Sequence, residues 1–513
     1  MGFDEPPTPL EAFNTTERER MTYDAHIRLL RQHEYPMLGG ITYLDRGGTT
    51  LASKTLLKAF CEEIITILLA NPHFDASEPS PSSSIVTETR LEVLEFFDAD
   101  PDHFDVVFTA NATPAIKLVM ECFSDLSGGF DHVYHRNCHT SLVGVRELSS
   151  RTHCLATDDQ TEEWLEGRSQ PLQTTSSNRT TLFDYSAQSN MNGQRLPLEW
   201  PQKLRVSAHH PKIFTLLDVA AFASTTPLDL SNHASAPDFA VLSFYKIFGF
   251  PDLGALIVRR SASPILEHRK YFGGGTTEMT TLEDGTLAIR SILALRCAID
   301  SHRQLFGGMH EISKHTAWLG ALLYVRLSAL THTNGTTVCH IYKAPTSVYG
   351  DPKTQGATFV FNMRHSNGVW IIPYAIGSIL RSNNIHVRTG GLCNPAGMAP
   401  ALGLSSAGMR AAFDKGFRCN QRSDLYENGE PIGMVRVTIG AMSTLGDIER
   451  LVECIKQQLM EPGHGTRNTP KVDMKPRADV SGRRRKSRLG CQVPFICPRY
   501  CTGNYQRQCS ARD

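Results

Sequence analysis

The stretch from Asp238 to Val258, DFAVLSFYKIFGFPDLGALIV, constrains this chain more than any other. Two short apolar runs, Phe239–Leu242 and Ala255–Val258, read as buried strands. Between them stand Ser243-Phe244-Tyr245-Lys246 and a turn at Gly249-Phe250-Pro251. A lysine at the end of a buried strand is unusual, because burying an unpaired ammonium is costly. Burial favours the neutral amine, and a neutral amine can form a Schiff base. Upstream, the apolar run Leu216-Leu217 ends in Asp218. An acid and a strand-end lysine are what pyridoxal phosphate needs, a carboxylate for the pyridinium nitrogen and an amine for the aldehyde. The other reading of Lys246 is a surface lysine in a hairpin.

Around that stretch, from Asp105 to Val258, strands alternate with helices. The pattern predicts an α/β fold with a mainly parallel sheet and sites at the carboxyl ends of the strands. Asp105–Thr109 is a predicted strand, Ala110-Asn111-Ala112-Thr113 a small-residue turn, and Ala115–Phe123 an apolar helix. Such a turn lets backbone N–H groups approach a phosphate, although any strand-to-helix unit shares the pattern. His132–Tyr134 and Thr180–Tyr185 read as further strands, the first leading to His139 and the second to the polar turn Gln188–Gly193. His139 is either a satisfied loop histidine or a ring lying flat on an aromatic cofactor.

The flanking segments complete the outline. Residues 1–35 read as an N-terminal arm with a polar helix, and 36–300 as the large cofactor-binding domain. Residues 301–462 read as a smaller α+β domain, and 463–513 as a tail. Helices are predicted at Lys54–Leu69, Ile85–Phe97, Thr286–Phe306, Trp370–Ser382 and Asp447–Leu459, with a Ser/Pro-rich loop over Ser77–Ser84. Strands are predicted at Val338–Tyr342, Ala357–Met363 and Met434–Ile439.

A chain of 513 residues exceeds one ordinary core, consistent with this division. Its formal net charge of +0 leaves no footprint for nucleic acid. No apolar run is long enough to span a bilayer, and the first residues lack a signal peptide's apolar core. Thirteen scattered cysteines suit reduced thiols in the cytoplasm. The tail carries Arg483-Arg484-Arg485-Lys486 and four cysteines, Cys491, Cys497, Cys501 and Cys509, with too few apolar residues for a core. It reads as disordered; zinc binding and nuclear import are the other readings, neither with a compact motif.

Several stretches, in order, resemble class V pyridoxal-phosphate enzymes of the cysteine desulfurase branch, above all the N-terminal domain of eukaryotic molybdenum cofactor sulfurases. They are YLDRGGTTL, NPHFDASEPSPSSS, FTANATPAIKLV, LFDYSAQSNMNGQRLPL, SFYKIFGFPDLGALIVRR, YFGGGT, EDGT, VRTGGLCNPAG and VRVTIGAMSTLGDIERL. The resemblance implies a fold type I enzyme and a role for each matching position. Lys246 would hold the cofactor covalently and move the Cα proton. Asp218 would pair with the pyridine nitrogen, His139 would stack on the ring, and Asn190 would hydrogen-bond the ring oxygen. Ala112, Thr113 and Ser243 would hold the phosphate, and Thr276 would reach the phosphate of a neighbouring subunit in a homodimer. Arg436 would grip the carboxylate of L-cysteine as a fork, with Arg388 nearby. Cys393 would accept sulfur as a persulfide, with alanine released; an ordinary thiol needs activation for this, and a flexible glycine-rich loop suits the transfer.

The chain departs from that pattern in two places. Related sulfurases carry a Cys-x-Cys arrangement beside the acceptor, and here Gly391 replaces the first cysteine. They also continue into a domain that binds molybdenum cofactor, where this sequence has its basic tail. Three expectations follow: a separate protein carries the acceptor, the sulfur goes elsewhere, or the sequence is a truncated or misjoined gene product. Competing readings are a β-lyase or biosynthetic tailoring enzyme on the same fold, in which Cys393 is dispensable, and a degenerate homologue that only binds a partner. Joint retention of Lys246, Asp218, His139, Arg436 and Cys393 argues against the last.

Overall fold

The computed structural model describes residues 9–71, 80–169, 172, 179–207, 209, 212–271, 282–418, 426–427 and 429–460. Seven strands form the main sheet: β1 (Phe104–Thr109), β2 (Phe130–His135), β3 (Arg151–Leu155), β4 (Thr180–Ser186), β5 (Ile213–Asp218), β6 (Phe239–Ser243) and β7 (Gly254–Arg259). Their spatial order is β1-β7-β6-β5-β4-β2-β3. The five from β6 to β3 pair in parallel, and β7 alone is reversed, antiparallel to both β6 and β1.

Alternation along the strands explains why this sheet is covered on both faces. Leu217, Ala240, Leu242, Ala255 and Ile257 enter one core, together with the helices Pro81–Phe96 and Ile289–Phe306. Their neighbours Leu216, Phe239, Val241, Leu256 and Val258 enter the other, with the helix Ala112–Ser124. A strand buried on both faces is apolar throughout, which is why these runs lack polar alternation.

A second, antiparallel sheet comprises β8 (Cys339–Ile341), β9 (Thr358–Arg364), β10 (Trp370–Ile371), β11 (Arg388–Gly390) and β12 (Met434–Thr438). Strand β9 is central, pairing with β8, β10 and β12, and β11 pairs with the other edge of β12. Its core draws on the helices Met309–Ser328 and Leu445–Gln458, and on Leu44 from far upstream. The segment containing Leu44 reaches this sheet through parallel pairing of Thr42–Tyr43 with Ile385–His386 and of Asp45 with Thr438.

Helix Pro9–Glu34 lies against both units: the Tyr23 hydroxyl donates to Phe306 O at 2.9 Å, and Leu445 N–H donates to Asp24 at 2.8 Å.

Several element boundaries differ from expectation by a few residues, and three of them have a clear local reason. The helix expected at Ile85 begins at Pro81, because Ser80 caps it and Pro81 occupies its first turn. The helix expected at Ala115 begins at Ala112, capped by Asn111. Trp370-Ile371, expected in a helix, is a strand; the helix starts at Pro373, after Ile372 in an extended conformation. The basic tail and Thr276 lie outside the described residues.

Candidate active site

The carboxyl ends of the parallel strands and the edge of the second sheet meet at one cavity of about 190 Å³. Lys246, Asp218, His139, Asn190, Ala112, Thr113, Ser243, Arg388, Cys393 and Arg436 all line it. Every expected site residue within the described part of the chain is therefore brought together. Gly47, Gly48, Gln188 and Leu392 line it as well.

Topology places the first group. Asp218 ends β5 and Ser243 ends β6, two adjacent parallel strands. Lys246 follows on a single helical turn, Tyr245–Phe248. Burial pushes its amine below the usual lysine pKa, with Asp218 opposing and Arg436 and Arg388 adding to the fall. Asp218 accepts the Ala220 N–H at 2.9 Å, which fixes its carboxylate at the strand end. The Ala112 N–H donates to Ser243 Oγ at 3.0 Å, joining the helix start to β6. This close approach requires Gly254, where a Cβ would lie 2.4 Å from Asn111 Cα.

His139 caps the short helix Thr140–Val143 through its Nδ1, which accepts the Ser141 N–H at 3.1 Å. Nδ1 thus carries no proton, and the neutral ring holds its proton on Nε2. Burial, then the charge of Lys246, lowers the His139 pKa to about 4, so the ring is uncharged near neutrality. A flat neutral imidazole, a carboxylate, a lysine amine and a helix start with hydroxyls beside it form a donor set that fits pyridoxal phosphate.

The opposite wall carries charge. Asp45 bridges two arginines: Arg388 Nη2 lies 2.9 Å from its Oδ2, and Arg436 Nη2 lies 3.0 Å from its Oδ1. Arg436 is buried, and its Nη1 also donates to Asn190 O at 2.8 Å. Two guanidinium groups share one carboxylate, so the wall keeps a net positive charge suited to a substrate carboxylate. Gly48 makes room for it, since a Cβ there would lie 2.2 Å from Arg388 Nη2. Asp45 was not singled out from sequence. The available signal was an acid ending a short strand, the same pattern that marked Asp218.

Cys393 sits on this wall in a turn that is tightly held. Leu392 and Cys393 have φ values of 54° and 52°, left-handed for residues that are not glycine. Such conformations cost about 1–2 kcal/mol each and persist where neighbours impose them. Asn190 Nδ2 donates to Leu392 O at 2.7 Å, and the Thr140 N–H donates to Cys393 O at 3.0 Å. The loop expected to be flexible is thus tied at both residues. Asn190, expected to serve a ring oxygen, has its amide nitrogen on Leu392 O while still lining the cavity.

Comparison with known proteins identifies the family and the fold. The family model for aminotransferase class-V matches residues 42–451. A molybdenum cofactor sulfurase of Chaetomium globosum is 45% identical over 452 residues, covering 85% of this chain and 58% of the relative. One from Aspergillus fumigatus is 45% identical over 464 residues, covering 86% of this chain and 54% of the relative. The chain thus spans about half the length of the curated relatives it matches. Among solved structures, the apo cysteine desulfurase of Thermococcus onnurineus superposes with a TM-score of 0.65 at 17% identity, covering 84% of this chain and 97% of that one. A cysteine desulfurase from Escherichia coli gives 0.62 at 16% identity, covering 84% and 98%. At these identities the match establishes the fold.

Proposed function

The chain belongs to the aminotransferase class-V family, and from that premise we propose that it is a pyridoxal-phosphate-dependent cysteine desulfurase of the molybdenum cofactor sulfurase kind. The observation that carries the proposal is the placing of Lys246 and Cys393 on one cavity of about 190 Å³. A β-lyase needs the lysine and has no use for the thiol.

When bound, pyridoxal phosphate withdraws electrons from an attached amino acid and acidifies its Cα proton. Lys246 would hold the group through Nζ, Asp218 would face its ring nitrogen, and His139 would lie against its ring. Ala112, Thr113 and Ser243 would receive its phosphate, as a helix start suits an anion. Arg436 and Arg388 would orient the carboxylate of L-cysteine. Lys246, its neutral amine favoured by burial, would take the Cα proton and return it. The Cys393 thiolate would attack the substrate sulfur; the S–S bond forms as the substrate's Cβ–S bond breaks. Cysteine and the enzyme thiol then yield alanine and a Cys393 persulfide.

Further steps of the proposal concern partners. The sulfur would pass to molybdenum cofactor or a protein carrying it, a reading supported by the relatives' names. The protein would act as a homodimer in the cytoplasm, with Thr276 completing the phosphate site of the other subunit. Among the described residues, eight cysteines are free thiols, which supports a reducing compartment. No helix among those residues is long and apolar enough to cross a membrane.

Incubation with L-cysteine tests the proposal. Alanine formed in step with protein-bound sulfur supports it; pyruvate and ammonia in place of alanine would instead establish the β-lyase reading.

A further inference from the structure

The turn that presents Cys393 is held by a buried side chain to which the desulfurase reading gives no role. Asn394 follows Cys393 and is fully buried. Its Oδ1 accepts the Gly397 N–H at 3.0 Å and caps the helix Pro395–Ala401. A backbone N–H only donates, so the atom facing it is the oxygen. The Nδ2 group of Asn394 therefore points the other way, to Asn137 Oδ1 at 3.3 Å and Asn190 Oδ1 at 3.1 Å.

The orientation propagates from there. With its oxygen turned to Asn394, Asn190 presents Nδ2 to Leu392 O at 2.7 Å. Asn137 presents its own Nδ2 to Gln194 Oε1 at 2.9 Å, and Gln194 Nε2 donates to the Asp158 carboxylate at 2.9 Å. The Ser189 hydroxyl adds a second donor to Asn137 Oδ1, at 2.8 Å. A backbone donor anchors one end of this series and a carboxylate the other, so each carboxamide has a single orientation.

We propose that Asn394 is a positioning residue for the acceptor thiol. Its carboxamide keeps the Leu392-Cys393 turn left-handed against the cavity by aiming Asn190 at the Leu392 carbonyl and tying the turn to Asn137. The name acceptor rests on the desulfurase reading; the hold on the turn does not. Two successive non-glycine residues at φ 54° and 52° need such a constraint, and without it the chain relaxes to an ordinary conformation.

Two substitutions separate this role from helix capping. Asn394→Ser and Asn394→Asp both keep an oxygen for the Gly397 N–H, so a residue that only caps is replaced without loss. Serine is too short to reach Asn137 and Asn190, and aspartate turns an acceptor toward their oxygens. In the full chain with cofactor bound, the readouts are the rate of Cys393 alkylation by iodoacetamide, followed by peptide mass spectrometry, and persulfide formation after addition of cysteine. We expect Cys393 to be alkylated about fivefold faster or more in both variants. Its persulfide should form about tenfold more slowly, with the cofactor absorption band retained. Wild-type rates of both reactions in both variants would overturn the proposal and leave Asn394 a cap. If one variant does not fold, the other decides; if neither folds, the alkylation rate in Asn137→Ser, which removes one anchor of the same series, decides. A wild-type protein that forms no persulfide overturns the desulfurase reading, and the alkylation comparison, which needs no turnover, still decides the positioning role.

Discussion

The wall of the cavity that carries Lys246 hangs on the strand ends of a single sheet, whereas the wall that carries Cys393 is assembled from segments far apart in the chain. Asp218, Ser243 and Lys246 follow from two neighbouring parallel strands and one helical turn. Asp45, Arg388 and Arg436 meet only because the Thr42–Tyr43 segment and two antiparallel strands converge, across sequence separations of 343 and 391 residues. The first wall is a property of topology, so substitutions of its side chains should act on the cofactor itself. The second depends on long-range charge pairing and a strained turn, so it should be the wall where small substitutions alter chemistry without dislodging the cofactor.

The largest expected effect lies on the first wall. Lys246→Ala should abolish the cofactor's protein-linked absorption band and lower alanine formation by about a thousandfold or more, measured by spectrum and steady-state assay. An unchanged band would remove Lys246 from the site and break the comparison. Asp218→Ala should keep some cofactor yet slow turnover roughly a hundredfold, through loss of charge stabilisation at the ring nitrogen. Near-normal kinetics would detach Asp218 from the cofactor.

The second wall should respond differently. In Asp45→Asn the two guanidinium groups lose their shared anion, and KM for cysteine should rise about tenfold with kcat changed less and the absorption band intact. A KM equal to wild type would show that Asp45 does not orient the arginines.

The smallest effect belongs to neither wall. His302, packed among Phe96, Phe248 and Phe306, has its pKa lowered to about 4 by burial. The unfolded chain binds its proton near pH 6.5, so between about pH 6.5 and 4 unfolding takes up a proton and stability falls as the pH is lowered. His302→Phe should flatten the fall in melting temperature over that window by a few degrees, without touching either wall. An identical pH profile would place the acid sensitivity elsewhere.

The same contrast explains what was legible in the sequence. The parallel strands announced themselves as apolar runs, and Asp218 and Lys246 near their ends were legible from the residues, whereas the role of Ser243 came from the family resemblance. The reversal of β7 was contained only in the hairpin reading of the stretch, which the antiparallel pairing of β6 and β7 matches, although Lys246 lines the cavity and is not a surface lysine. Ser80-Pro81 looked like loop composition, although serine before proline is also the pattern of a capped helix start. On the second wall, Cys393, Arg388 and Arg436 came from family resemblance alone. Asp45 carried the same strand-end signal as Asp218 and went unassigned because its arginine partners lie far along the chain, and Asn394 went unassigned because its role arises from contacts that no local pattern encodes. Asn394 follows Cys393 in sequence, but its partners Asn137 and Asn190 lie more than 200 residues away.

The central claim is that both walls serve one reaction, and the position of the transferred sulfur tests it most directly. The holoprotein is given L-cysteine labelled in its sulfur, and its peptides are mapped by mass spectrometry beside those of Cys393→Ser. The account predicts labelled sulfur on the Cys393 peptide of the wild type. It predicts that the serine variant, with cofactor bound, carries none and makes little alanine, since a hydroxyl is a far weaker acid than a thiol. Labelled sulfur confined to another cysteine, or undiminished alanine from the serine variant, would contradict it.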